Sequence, residues 1–344
     1  MRLLSLFSGI GAFEKALDNL DISYELVNYC EIDRYASRAY SLIHNVPESK
    51  NLGDISKVDT SNLRDIDICS YGFPCVDISI AGKQKGFADE DGNRTRSGLF
   101  FEALRIIEDT KPKYAIAENV KNLVSKRFSK EFETVLSSLE KAGYNNYWQV
   151  LNAKDFGVPQ NRERVFIVSI RKDIDDGKFQ FPQPQTLELR LRDLLESDDV
   201  DEKYYMADKS ISNICSYKPV LNQSIEPIRL GNIYGEHIGT GYAGNVWDKD
   251  SICPTLMTMQ GGNRQPMVVV KENRGTVTAV LEEPKLRIRK LTPKECFRLM
   301  GFEDKDIDIL IKNKISNTQL YKMAGNSIVV NVLEAIFEML TEEV

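Results

Sequence analysis

Apolar residues in the first half of the chain fall into short runs separated by amphipathic stretches. Leu3 to Phe7 reads as a strand closed by Ser8-Gly9-Ile10-Gly11, and Ala12 to Leu20 has helical spacing. Glu25 to Cys30 is the next strand and Tyr35 to His44 the next helix. Ile66 to Tyr71, Tyr114 to Glu118, Tyr147 to Asn152 and Val165 to Ile170 read as further strands, with helices at Gly98 to Asp109 and Lys130 to Ala142. Strands alternating with helices predict βαβ units, hence an α/β domain whose parallel sheet has helices on both faces. From Pro182 the pattern changes: Pro, Asn and Gly rise, strands shorten, and the segment becomes loop-rich. Helical spacing returns after Leu291-Thr292-Pro293, with Thr292 placed as a cap and Pro293 at the first helical position. Gly325-Asn326-Ser327 is expected to open a last helix, Ile328 to Leu340.

The chain's 344 residues exceed one ordinary core, so two domains are expected. No apolar run approaches the roughly eighteen residues of a membrane span, and Met1 leads directly into a strand, so a cytoplasmic protein without a membrane partner is expected. Cysteines 30, 69, 75, 215, 253 and 296 form no CxxC pair, and His44 and His237 lie far apart; neither a disulfide framework nor a metal site is indicated. The formal charge of -6 argues against a nucleic-acid partner only if charge is spread evenly, and it is not. Lys285 to Arg298 holds six basic residues and one acid, whereas Glu196 to Glu202 is mostly acidic. The basic run suits a solvated face or a phosphate contact equally.

Two strand ends carry the chemistry. Pro74-Cys75 closes the apolar run Ile66 to Phe73, and Ala117-Glu118-Asn119-Val120 closes another. A free cysteine is usually a buried small hydrophobe. Here proline ends the ladder, which puts the thiol at a strand's carboxyl edge, where open α/β sheets bind ligands. After it, Ser79 to Arg96, with Gly82, Gly86, Gly92, Lys83, Lys85, Arg94 and Arg96, reads as a mobile loop. The Gly9/Gly11 loop lacks the third glycine of the dinucleotide fingerprint, which removes a nicotinamide-dependent oxidoreductase and leaves either a tight turn or a cofactor held by backbone approach. Glu31, ending the second strand, is placed to accept ribose hydroxyls, and Asp54 an adenine amino group; together they suggest an adenosine pocket.

Phe7-x-Gly9-x-Gly11, Gly72-Phe73-Pro74-Cys75, Glu118-Asn119-Val120, Gln160-Asn161-Arg162-Glu163-Arg164, Arg289 to Gly301 and Gly325-Asn326-Ser327 stand in the order seen in the DNA (cytosine-5)-methyltransferases, which the chain resembles outside about 183 to 284. The resemblance implies a doubly wound, Rossmann-like catalytic domain (1–182), a smaller loop-rich target-recognition domain (183–284), and a segment (285–344) completing the catalytic domain. It implies S-adenosylmethionine as cofactor and double-stranded DNA as partner, and suits either an enzyme paired with a cognate restriction endonuclease encoded nearby or an orphan or phage-borne one; a monomer is expected. Cys75 would add to C6 of a flipped-out cytosine, Glu118 would hold the proton at N3, Arg164 would touch the base carbonyl or phosphate, and Arg162 would pair with a carboxylate or backbone nearby. Asn119 would orient the loop. Phe7, Gly9, Gly11, Glu31, Ile32, Asp54, Leu99 and Asn326 would line the cofactor, although Ile32 and Leu99 taken alone suit core packing. Ser79, Lys83, Arg94, Arg96, Thr255 and Arg264 would meet DNA, with Gly261 to Gln265, Asn232, Thr240 and Asn245 offering base-reading groups. The family often has a polar residue after the cysteine, where this chain has Val76. A tRNA cytosine-5 methyltransferase would share the catalytic parts but usually carries Pro-Pro-Cys, and a catalytically silent DNA-binding paralogue would not need Cys75, Glu118 and Arg164 together.

Overall fold

The computed structural model describes residues 1–74, 87, 95, 97–197, 200–214, 225–235, 241, 243–259, 262–271 and 285–341. Its strands are β1 (Arg2–Leu6), β2 (Glu25–Cys30), β3 (Ile68–Tyr71), β4 (Tyr114–Val120), β5 (Tyr144–Asn152), β6 (Gln160–Asn161), β7 (Glu163–Arg171), β8 (Arg229–Asn232), β9 (Asn245–Trp247), β10 (Cys253–Pro254), β11 (Met267–Lys271) and β12 (Leu286–Lys290). The helices are α1 (Ala12–Asn19), α2 (Arg34–His44), α3 (Phe100–Thr110), α4 (Ser129–Lys141), α5 (Pro293–Arg298), α6 (Asp304–Lys312), α7 (Asn317–Asn326) and α8 (Val330–Thr341).

Two compact units result, one of Met1–Asn152, Glu163–Pro184 and Val330–Val344, the other of Ala153–Arg162 and Gln185–Val329. The first is built on a six-stranded sheet in the order β2-β1-β3-β4-β7-β5. β1 to β4 run parallel, but β7 is antiparallel to β4 and β5 antiparallel to β7. The expected all-parallel sheet is therefore mixed, because the chain returns from β5 to β7 without a crossover helix. Alternate residues Leu4 and Leu6, Cys69 and Tyr71, Ala115 and Ala117, Val165 and Ile167 face one core, which α3 and α4 supply with Phe100, Ala103, Ile106, Ile107, Phe132, Val135 and Leu139. α1 packs with α8, where Phe13 and Phe337 meet edge to face at 6.3 Å.

The second unit has a four-stranded sheet, β12-β11-β9-β8, over a small cluster of Ile214, Ile233, Val246, Met267, Val269 and Ile288, plus the helices α5 to α7. Its boundaries differ from the expected segments. β12 pairs antiparallel with β11 from Met267↔Lys290 to Lys271↔Leu286, which ties 285–329 to this unit and leaves α8 with the first. Thr292 caps α5 as expected, its hydroxyl accepting from the Glu295 N–H at 3.2 Å while Glu295 accepts from the Thr292 N–H at 2.8 Å. Gly325 and Asn326 end α7 rather than open the last helix, which begins at Val330. Asn317–Leu340 is long and apolar enough on average to span a membrane by composition, but it comprises α7, the break at Ser327–Val329 and α8, and 67% of its apolar window is buried within the fold, as in a core helix.

Candidate active site

The four parallel strands of the first unit deliver their carboxyl ends to one edge, the edge where an open sheet binds ligands. Phe7 to Gly9 follow β1, Glu31 follows β2, Gly72 to Pro74 follow β3, and Glu118-Asn119 close β4. β7, running the other way, brings its first residues to the same edge. Across that ladder Val120 faces Arg164 and Glu118 faces Phe166, so Glu118 and Arg164 are diagonal neighbours on one face. Arg164 Nε lies 3.0 Å from Glu118 Oε1, and both side chains are largely buried. Asn119, itself buried, donates from Nδ2 to the Phe73 carbonyl at 3.0 Å, while its Oδ1 accepts from the Val120 N–H at 2.8 Å. The chain two residues before Cys75 is thereby fastened to the strand bearing Glu118.

Cys75, Ser79, Lys83, Arg94 and Arg96 lie outside the described residues, as do Thr240, Gly261 and Cys215. The four described cysteines, Cys30, Cys69, Cys253 and Cys296, are all buried. Burial pushes the Cys30 thiol up to about 12 and raises those of Cys69, Cys253 and Cys296 as well, so none is poised as a thiolate.

Beside this, the β1 and β2 loops form a second constellation. Glu31 accepts from the Gly9 N–H at 2.9 Å through Oε2 and from the Asp33 N–H at 2.7 Å through Oε1. Phe7 has φ 53, a strained backbone for a bulky side chain and one that clusters at ligand clamps. Gly9 has φ 56 with nothing within 4 Å of where a Cβ would stand, whereas a Cβ on Gly11 would lie 2.2 Å from His44 Nε2. Gly9 thus faces open space, and Gly11 permits helix packing. Ile32 is 76% exposed, so core packing does not explain it; Leu99, partly buried, does pack against the core. Asp54 Oδ1 accepts from the Ser56 hydroxyl at 2.8 Å and its N–H at 3.1 Å, which holds the carboxyl below its ordinary value. Asn51 went unnoticed in the sequence: its Oδ1 accepts from the Glu31 and Gly53 N–H groups at 3.0 and 2.9 Å, fixing both acid-bearing turns. The Asn-x-Gly spacing before Asp54 is the signal that would have found it.

In the second unit the expected reading groups are mostly engaged. Arg162 is 3% exposed and donates to the carbonyls of Leu256, Gly325 and Ser327 at 2.9, 3.0 and 2.7 Å, so it meets backbone rather than a carboxylate in these bonds. Thr255 donates its hydroxyl to the Asn161 carbonyl at 2.5 Å. Asn232 is buried, donating to the Ala243 carbonyl and to Asn245 Oδ1, while Asn245 donates to the Gly241 carbonyl; Gln265 is buried too. Asn326 and Arg264 are exposed. The basic run is neutralised from within: Lys285 meets Asp208 at 2.6 Å, Arg287 meets Glu202 at 3.0 Å, Arg289 meets Glu295 at 2.6 Å, Lys294 meets Asp308 at 2.6 Å and Arg298 meets Asp304 at 2.7 Å. Burial draws the sixth, Lys290, below lysine's ordinary value. Of its two readings, a phosphate-binding face is the one these pairs argue against. Among the described residues no cluster of His, Cys, Asp or Glu could hold a metal.

The sheet brings a glycine turn, an acid, the Gly72–Pro74 segment and a Glu–Arg pair to one edge, an arrangement that suits an α/β group-transfer enzyme. The comparisons specify the group. Residues 1–342 match the family described as C-5 cytosine-specific DNA methylase, and the chain belongs to it. It is 36% identical to type II methyltransferase M2.ScrFI of Lactococcus lactis subsp. cremoris, covering 99% of both chains, and 35% identical to type II methyltransferase M.HhaI of Haemophilus parahaemolyticus, covering 98% of this chain and 93% of that one. It is also 34% identical to orphan methyltransferase M.SPBetaI of Bacillus phage SPbeta, covering 99% and 97%. The fold resembles the Dnmt2 methyltransferase of S. pombe, with a TM-score of 0.69 at 22% identity over 100% and 99% of the two chains. The protein is a DNA (cytosine-5-)-methyltransferase.

Proposed function

We propose that the protein transfers a methyl group from S-adenosylmethionine to C5 of a cytosine extruded from a short, specific duplex sequence, by way of a covalent bond from Cys75 to C6. The reading is carried by the carboxyl edge of the sheet, where Asn119 fastens Phe73 beside the Glu118–Arg164 pair. The first unit's residues fit the cofactor: Gly9 is open to close approach, Glu31 at the end of β2 would accept from ribose hydroxyls, Ile32 offers an exposed apolar face for the adenine, and the Asp54 carboxyl, held below its ordinary value, would accept from the adenine amino group. Phe7 and Leu99 complete the first unit's set, and Asn326 is the second unit's candidate contact to the cofactor. When bound, S-adenosylmethionine supplies an electrophilic methyl group.

The chain's own residues do the rest. The Cys75 thiolate adds to C6, which makes C5 nucleophilic. Glu118, held by Arg164, accepts from the exocyclic amine and holds or donates the proton at N3, so the negative charge that thiolate addition puts on the ring is neutralised there. Arg164 would touch the base carbonyl or its phosphate. Once C5 is methylated, its proton leaves to water and the C6–S bond breaks, returning the thiolate. The base must leave the duplex to reach Cys75. Ser79, Lys83, Arg94, Arg96, Thr255 and Arg264 meet the DNA, and the enzyme acts as a cytoplasmic monomer guarding DNA against a cognate endonuclease.

Labelled S-adenosylmethionine with unmethylated plasmid DNA, followed by bisulfite mapping, tests this against Cys75→Ser. Label at one short motif, lost in the variant, is expected. Label in tRNA alone would overturn the substrate, and DNA binding without label would overturn the catalytic role.

A further inference from the structure

Within the second unit, one guanidinium joins two chain segments to which the proposed function gives different ligands. β10 runs parallel to β6, with Cys253 opposite Gln160 and Pro254 opposite Asn161. The Leu256 N–H donates to Gln160 Oε1 at 3.0 Å, and the Leu256 carbonyl accepts from Arg162 Nη1 at 2.9 Å. The other arm of the same side chain, Nη2, donates to the carbonyls of Gly325 at 3.0 Å and Ser327 at 2.7 Å. Those carbonyls flank Asn326, whose side chain is exposed at the end of α7. The two segments also touch directly: a Cβ on Gly325 would lie 2.2 Å from the Met257 carbonyl oxygen. Thr255-Leu256 and Gly325 to Ser327 are therefore held in one register by a buried, planar fork.

We infer that Arg162 is a positioning residue that couples DNA binding to cofactor binding, its guanidinium transmitting any shift of the Gly325–Ser327 backbone to Thr255-Leu256. The inference rests on the proposed function, in which Asn326 contacts the cofactor and Thr255 meets the DNA. A turn that moves to receive a ligand at Asn326 carries two of the three carbonyls with it. The third must follow or be left unpaired in a buried place, which is unfavourable. Arginine suits this because its donors are fixed in one plane; a lysine ammonium cannot hold three carbonyls in a set geometry. Coupling of this kind runs in both directions by the same factor.

The test uses the full chain and S-adenosylhomocysteine, the demethylated form of the cofactor, titrated calorimetrically with and without saturating unmethylated plasmid fragments. DNA is expected to tighten its binding about tenfold in the wild type and less than about twofold in Arg162→Lys. A merely structural defect would weaken both titrations and leave their ratio intact, which would overturn the inference. So would a wild type whose affinity DNA does not change, although the cofactor reading would then survive. A wild type that binds no S-adenosylhomocysteine overturns both. Should Arg162→Lys fail to fold, amide exchange in the wild type decides: S-adenosylhomocysteine alone must slow the Leu256 amide as well as 325–327, and slowing confined to 325–327 would overturn the inference.

Discussion

The two units spend their polar side chains in opposite ways. In the first, a large core under a ladder of parallel strands holds the fold, and the acid, arginine and glycines at the carboxyl edge stand where a ligand can use them. In the second, the sheet covers a cluster of six buried apolar residues among the described ones, and Asn232, Asn245, Thr255, Arg162 and five of the six basic residues at 285–298 satisfy the protein itself. Backbone that a regular ladder does not pair must be paired by side chains. A polar residue at the end of a parallel strand is thus good evidence of chemistry, and the same residue in an irregular unit is first a candidate for scaffolding.

The largest effect that would break this contrast lies in the first unit. Glu118→Gln keeps the shape but removes the anion that faces Arg164, so kcat should fall by about 10²–10⁴, with the melting temperature little changed; measured methyl transfer near the wild-type rate would mean that the strand-end acid is scaffolding too. The second unit answers with stability. Glu295 is fully buried against Arg289, and Glu295→Ala should cost about 3–5 kcal/mol in urea denaturation. Glu202→Ala, removing an exposed partner of Arg287, should leave the denaturation midpoint near the wild type. Glu202, Asp208 and Asp304 are held below their ordinary values by hydrogen bonds from Arg287, Lys285 and Arg298. What they contribute is therefore present above the ordinary carboxylate range and fades as pH falls below about 4, which a melting series in acid would follow.

Periodicity made the first unit legible. Glu25 to Cys30 is a strand to the residue, and α1, α2, α3 and α4 lie within a residue or two of their expected bounds, the last three because each has one buried face. The site's strand ends were legible for the same reason: Glu118 closes the apolar run from Tyr114, and Arg164 stands just before the run Val165 to Ile170. Strand direction was not, since a β5-to-β7 return without a helix looks like any other pair of apolar runs. Nor was the end of α7, because Gly-Asn-Ser serves a helix end and a helix start alike. The fate of the basic run was hidden by distance, its partners Asp208 and Glu202 lying 77 and 85 residues away from Lys285 and Arg287. Which polar group is spoken for is a tertiary fact.

The glycines sharpen the contrast within a single loop. Gly11→Ala drives a Cβ into the His44 ring at a left-handed φ of 80 and should cost about 3 kcal/mol of stability. Gly9→Ala meets nothing and should cost about 1 kcal/mol, yet it places a methyl group in the space the cofactor would use. A thermal melt and a titration with S-adenosylhomocysteine should therefore rank the two oppositely. Equal losses of affinity and stability at both would make this loop an ordinary tight turn.

The smallest expected effect is the most direct test of the second unit. Arg264 is exposed, whereas Lys285 and Lys294 are held by Asp208 and Asp308. Arg264→Ala should weaken binding to unmethylated plasmid fragments by a few-fold and reduce the slope of log affinity against log salt by about one. Lys285→Ala with Lys294→Ala removes twice the charge and should leave that slope unchanged, because a cation already neutralised by a carboxylate releases few counterions when DNA arrives. A slope reduced by about two in the double variant would mean that phosphate displaces Asp208 and Asp308. The basic run would then be a DNA face held closed by its own acids, and the division between a unit that offers its charges and a unit that consumes them would hold only in the absence of DNA.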